Sequence, residues 1–117
     1  ELDLEGDGDT RTGWVVFYLH VAEEGRAVVG THLQAGQPLG HPSCEGGTST
    51  GTHIHIARKY NGEWIAADGI LPFNLDGWVP HNGERPYSGL LTRFSETVIA
   101  STSANQTSYV TAEEVEY

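Results

Sequence analysis

The chain has 117 residues, 15 glycines and one cysteine, and carries a formal charge of −10 with only six Lys plus Arg. That length supports a single hydrophobic core, and the shortage of cations excludes a nucleic-acid surface, which needs basic patches to neutralise phosphate. No apolar run approaches the ~18 residues of a membrane-spanning helix, and no signal peptide opens the sequence.

The first residue is Glu1 rather than Met and the pattern begins abruptly, so a processed end or a truncation is expected, with any targeting signal upstream. Asp3, Glu5, Asp7 and Asp9 alternate along "DLEGDGDT" in a partial match to a calcium loop. The bidentate Glu such a loop needs is missing at the expected distance, so a solvated acidic turn is the expectation. "WVVFYLHV" follows as a strand of aromatic and β-branched residues, with Trp14, Val16, Tyr18 and His20 on one face by the period of two. "VAEEGRAVV" is broken by Gly25, and no amphipathic helix of useful length is present.

Residues 24–51 are expected to run through short strands punctuated by glycines. "HIHIARKY" is the next strand, Asn61-Gly62 is a type I′ hairpin signal, and "EWIAAD" returns. Beyond Trp78 the pattern weakens, and the Ser-, Thr- and Glu-rich end reads as a peripheral tail or linker, giving a domain over residues 1–92 and a tail over 93–117. The "NQT" at 105–107 matches a glycosylation sequon but is too short a pattern to carry weight. The class is all-β and antiparallel. Trp14, Phe17, Trp64 and Trp78 are expected to supply much of the core, with Arg58 and Lys59 as exposed charges. Cys44 has no partner within the chain, which leaves a small buried thiol or a partner elsewhere.

His53 and His55 stand two apart on a strand, so they share a face with backbones roughly 6–7 Å apart while Ile54 and Ile56 face the other way. Imidazole is a common zinc ligand, and one of such a pair can hold a metal while its neighbour reaches water or substrate. Taken alone, the pair also fits two half-exposed polar side chains.

Three blocks in order sharpen the reading: "GWVVFYLH" with Tyr18-Leu19-His20, "VVGTHLQAGQPLG" with Gly30, Gly36, Gln37 and Gly40, and "CEGGTSTGTHIHIARKYNGEWI". Together, over residues 12–66, they resemble the lysostaphin-like zinc peptidases, and within them the staphylolysin-type branch. The resemblance implies a barrel-like antiparallel β-sheet with a groove, of the duplicated hybrid motif type. It makes His55 a Zn2+ ligand and His20 and His53 the catalytic histidines, and it implies an endopeptidase acting outside the cell or in its envelope. Gly-containing peptide bonds, especially in bacterial peptidoglycan, are the implied substrate.

The family's other two ligands are a His and an Asp upstream of the Tyr-x-His strand, and no histidine precedes His20. The expectation is therefore the C-terminal portion of a peptidase domain. The alternatives are a degenerate, non-catalytic domain that binds or activates a partner, and a secreted β-module for carbohydrate or calcium. Tyr18 is expected to shape the cleft. His32 and His41 are expected on the surface, and His81 in a loop near the domain's end, where it borders the substrate groove.

Overall fold

The structure, a computed structural model, describes residues 1–103 and 107–112, and the chain divides into two units, residues 1–65 and residues 66 onward. The described residues form antiparallel sheets and no helix. None of them therefore forms a helix long and apolar enough to cross a membrane.

The first unit is a four-stranded sheet in the order β1 (Leu2–Asp3), β2 (Trp14–Leu19), β3 (His55–Tyr60), β4 (Glu63–Ile65). β2 and β3 are its spine, paired from Trp14↔Tyr60 to Leu19↔His55, and their aromatic and β-branched residues suit a pleated, half-buried surface. Asn61 and Gly62 join β3 to β4 with φ of 48° and 80°, the left-handed pair that a type I′ turn requires. The Asn61 side chain also accepts the Gly13 N–H at 2.8 Å, fastening that turn to the start of β2.

Opposite residues share a face, so Trp14, Tyr60 and Arg58 meet on one side, with ring centroids 4.9 Å apart and the guanidinium 5.4 Å from the indole. On the other side Phe17 meets Trp64 edge-on at 5.7 Å, and Lys59 lies over Trp64 while pairing with Glu1 at 3.0 Å. Arg58 and Lys59 are thus half-buried packing partners rather than plain exposed charges. Val15 is the fully buried side chain of the sheet, whereas Trp64 keeps 59% of its surface exposed and adds less to the core than expected.

The acidic segment folds as a hydrogen-bonded turn. Asp3 accepts the N–H groups of Glu5, Gly6 and Gly8, and Asp9 holds Arg11 through both carboxylate oxygens. Residues 24–51, expected to contain short strands, contain none: two isolated bridges, Val21↔Pro42 and Ser43↔His53, are the β pairing in and around the segment. Gly25, Gly30, Gly36, Gly40, Gly46 and Gly47 all take positive φ there, which no extended run can absorb.

The second unit is a three-stranded meander, β5 (Val79–Asn82), β6 (Gly89–Arg93) and β7 (Glu96–Ile99). Its buried centre is Trp78, 4% exposed, with Arg93 4.6 Å above the ring and the indole N–H donated to the Thr111 carbonyl. The boundary expected at 92/93 therefore falls inside β6, and the segment read as a tail supplies both β7 and the Thr111 contact. Thr97 and Val98 are good strand formers despite the polar composition around them. Asn105 of the sequon lies outside the described residues.

Candidate functional site: a histidine pair where two strands part

Regular pairing of β2 with β3 ends at Leu19↔His55. Beyond it residues 41–43 run between the two parted segments: Ala22 N–H donates to the His41 carbonyl, Ser43 N–H to the His20 carbonyl at 2.7 Å, and Ser43 bridges to His53. Continued alternation would send His20 to the face opposite Leu19 and His55. His20 instead has φ of 67°, an uncommon left-handed conformation for a residue with a side chain, and it turns the chain off the strand. The expected face shared by Trp14, Val16, Tyr18 and His20 accordingly stops at Tyr18. The result is contact between His20 and His53, with ring centroids 4.4 Å apart and planes inclined by 48°.

The two rings differ in burial and agree in anchoring. His20 is 5% exposed, whereas His53 is open to solvent. His20 Nδ1 lies 2.7 Å from the Glu45 carbonyl oxygen and His53 Nδ1 lies 2.8 Å from that of Gly51. A carbonyl oxygen can only accept, so each Nδ1 carries a proton. In the neutral ring each Nε2 is then left with its lone pair, the form that accepts a proton or ligates a metal. A Cβ at Gly47 would sit 3.6 Å from the His20 ring, an ordinary van der Waals distance, so the φ of 144° rather than crowding is what calls for glycine there.

His55 opens β3 as an exposed residue opposite Leu19, two positions beyond the pair. Among the described residues no group of three or more His, Cys, Asp or Glu side chains is placed to hold a metal ion. A catalytic zinc takes three protein ligands and a water, so the donor set here does not fit zinc by itself, and His55 stands as a single candidate ligand. A groove of about 520 Å3 borders His20 and is lined by Tyr18, Glu23, Arg26 and Glu45 among others, while His53 and His55 do not line it.

Of the remaining histidines, His32 and His41 are exposed, as expected. His81 is not in a loop: it lies in β5, opposite Leu90, with Nε2 2.8 Å from the Thr92 hydroxyl, and it lines a separate cavity of about 880 Å3 in the second unit. Cys44 is exposed and unpaired, which removes the buried-thiol reading.

Sequence reasoning passed over Ser43, Glu45, Ser49 and Gly51, the residues that fix the two rings. Their bonds span 25 positions for His20 and Glu45, and no local pattern marks a main-chain acceptor. No protein-family description, curated protein or solved structure matches this chain.

Proposed function

We propose that the chain carries the catalytic histidine pair of a lysostaphin-type zinc endopeptidase that cleaves Gly-containing peptide bonds, with bacterial cell-wall peptides as substrate class and the extracellular space or cell envelope as its place of action. The observation that supports this reading is the contact of His20 with His53, two rings anchored at Nδ1 and only 4.4 Å apart. Adjacent imidazoles with free Nε2 lone pairs suit general acid–base work: one takes a proton from the attacking water, and an imidazolium returns it to the leaving amine. The second ring, once protonated, stabilises the oxyanion of the tetrahedral intermediate. Zinc, when bound, would polarise the scissile carbonyl and lower the pKa of its water. Among the described residues His55 is the single candidate ligand, so a bound zinc requires further donors.

A second reading, a non-catalytic peptide-binding or partner-activating module, draws support from that same incomplete donor set. One assay separates them. The full chain is incubated with a pentaglycine peptide across a zinc titration, and both cleavage and binding are followed. The peptidase reading expects zinc-dependent cleavage that falls about 10²–10⁴-fold in His53→Ala and vanishes in His55→Ala. Peptide binding without cleavage, at zinc concentrations where the chain holds zinc and His55→Ala does not, would establish the binding module instead.

A further inference from the structure

The same local device occurs twice in the loop between the two histidines. In Ser43-Cys44-Glu45 and in Ser49-Thr50-Gly51, a serine hydroxyl accepts the N–H of the residue two positions on, at 3.0 Å and 3.4 Å. In both cases the carbonyl of that second residue receives a histidine Nδ1–H: Glu45 takes His20 and Gly51 takes His53. Each serine then donates its own proton where it tightens the arrangement. Ser43 Oγ donates to the His20 carbonyl at 3.0 Å, and Ser49 Oγ donates to the Gly51 carbonyl at 2.6 Å while lying 3.2 Å from His53 Nδ1. Of residues 41–50, Ser43 and Ser49 are the half-buried ones and the other eight are exposed.

From this repetition we infer that Ser43 and Ser49 are positioning residues, each of which sets the tautomer of one histidine by holding the carbonyl to which its Nδ1–H donates. The physical need is plain. A free imidazole exchanges its proton between the two nitrogens, and a ring with Nε2 protonated has no lone pair there with which to act as a base. A glycine-rich loop cannot by itself hold an acceptor at one place, and a bond from a main-chain N–H to the serine hydroxyl closes it into a fixed turn. Ser43 has a second task. His20 is held at φ of 67°, and conformations of that kind persist only where surrounding bonds over-determine them. The Ser43 N–H and Oγ both donate to the His20 carbonyl and supply that restraint. Glu45 is fastened in turn, because its carboxylate accepts the Glu23 N–H at 2.8 Å.

The catalytic meaning of this control rests on the peptidase reading, but its test does not. The whole chain is labelled with 15N-histidine and long-range proton–nitrogen correlation spectra are recorded at a pH where the rings are neutral, without metal or peptide. His20 and His53 are expected in the Nδ1–H form. Ser43→Ala is expected to lower the ratio of Nδ1–H to Nε2–H at His20 about tenfold, the size of one hydrogen bond, and to leave His53 as it was. Ser49→Ala is expected to do the reverse. Ser43→Thr and Ser49→Thr keep the hydroxyl and are expected to restore the wild-type spectra, which a general loss of packing would not allow. The proposal is overturned if wild-type His20 and His53 show the Nε2–H form, or if the folded alanine variants keep wild-type tautomer ratios. Should an alanine variant unfold, Ser43→Cys or Ser49→Cys, which keeps the side-chain shape and replaces the hydroxyl by a weak hydrogen-bonding thiol, is read in its place with the same expected fall and the same overturning result. A correct tautomer result beside failed pentaglycine cleavage by the zinc-loaded chain would remove the peptidase reading and leave the serine assignment standing.

Discussion

Histidines in the two units of the chain are held in different ways. In the first unit His20 and His53 each donate Nδ1–H to a main-chain carbonyl in a glycine-rich loop, while in the second His81 meets the Thr92 hydroxyl from the neighbouring strand. A carbonyl accepts only, so it dictates which ring nitrogen keeps the proton. A hydroxyl donates or accepts and dictates nothing. Two strand-end rings with dictated protons form a unit capable of acid–base chemistry, and a solvent-facing strand histidine beside a threonine is a cross-strand polar contact. The difference lies in the partner rather than in the residue type.

The largest expected effect tests that contrast directly. His20→Asn removes the ring but keeps a residue that tolerates left-handed φ. On the proposed peptidase reading, pentaglycine cleavage is expected to fall about 10²–10⁴-fold, the usual worth of a general acid–base group, while His81→Ala leaves the rate unchanged. Equal losses in the two variants would erase the distinction between dictated and undictated rings.

The tryptophans give a second contrast, in stability. Trp78 is 4% exposed and donates its N–H to Thr111, whereas Trp64 is 59% exposed. Trp78→Ala is expected to cost about 3–5 kcal/mol, the range for a buried aromatic. Trp64→Ala should cost about 1 kcal/mol, mainly the lost edge contact with Phe17. Urea unfolding of both variants measures this, and a Trp64 loss as large as that of Trp78 would mean that the first unit's sheet depends on its exposed face.

How far these features were legible follows from their range along the chain. β2, β3 and the Asn61-Gly62 turn were readable because alternation and turn chemistry are local. The contact of His20 with His53 was not derivable from strand period, because alternation predicts the opposite face and one left-handed residue reverses it. Only resemblance suggested that the two act together. The Ser43 turn was invisible because its carbonyl, that of Glu45, serves a histidine 25 positions away, whereas the Ser49 turn is local and was missed because no residue type marks a main-chain acceptor. In the second unit, Asp76-Gly77 makes the same kind of two-residue turn, with φ of 54° and 84°, and this signal was present but unread. β7 was hidden by its Ser- and Thr-rich surroundings.

The two turns supply a third, smaller contrast. A Cβ at Gly62 would meet nothing nearer than 3.8 Å, whereas one at Gly77 would lie 3.1 Å from the Arg93 side chain that covers Trp78. Gly62→Ala is expected to cost about 1–2 kcal/mol from left-handed strain alone. Gly77→Ala should cost more by the displacement of Arg93. If urea midpoints fall equally, the cation over Trp78 moves freely and adds little to the second unit.

The smallest effect concerns two depressed carboxyls. Asp9 is held down to about 2, first by the hydrogen-bonded Arg11 guanidinium and then by the Arg11 N–H. Asp68 is lowered by the N–H groups of Asn82 and Gly69. Both folded values lie below the unfolded one of about 3.9. Each therefore adds stability that is complete above that pH and is lost as pH falls through the folded value, to about 2 for Asp9. Salt separates the two causes. At about 1 M ionic strength the Debye length shrinks to about 3 Å, and the solvent-exposed Asp9–Arg11 pair is weakened more than bonds to main-chain N–H groups. Carboxyl titrations by NMR at low and high salt should show Asp9 rising towards its ordinary value and Asp68 nearly still. Equal movement would mean that the Asp9 shift is carried by the Arg11 N–H as Asp68 is carried by its own turn, and the acidic segment would then hold its shape without the guanidinium.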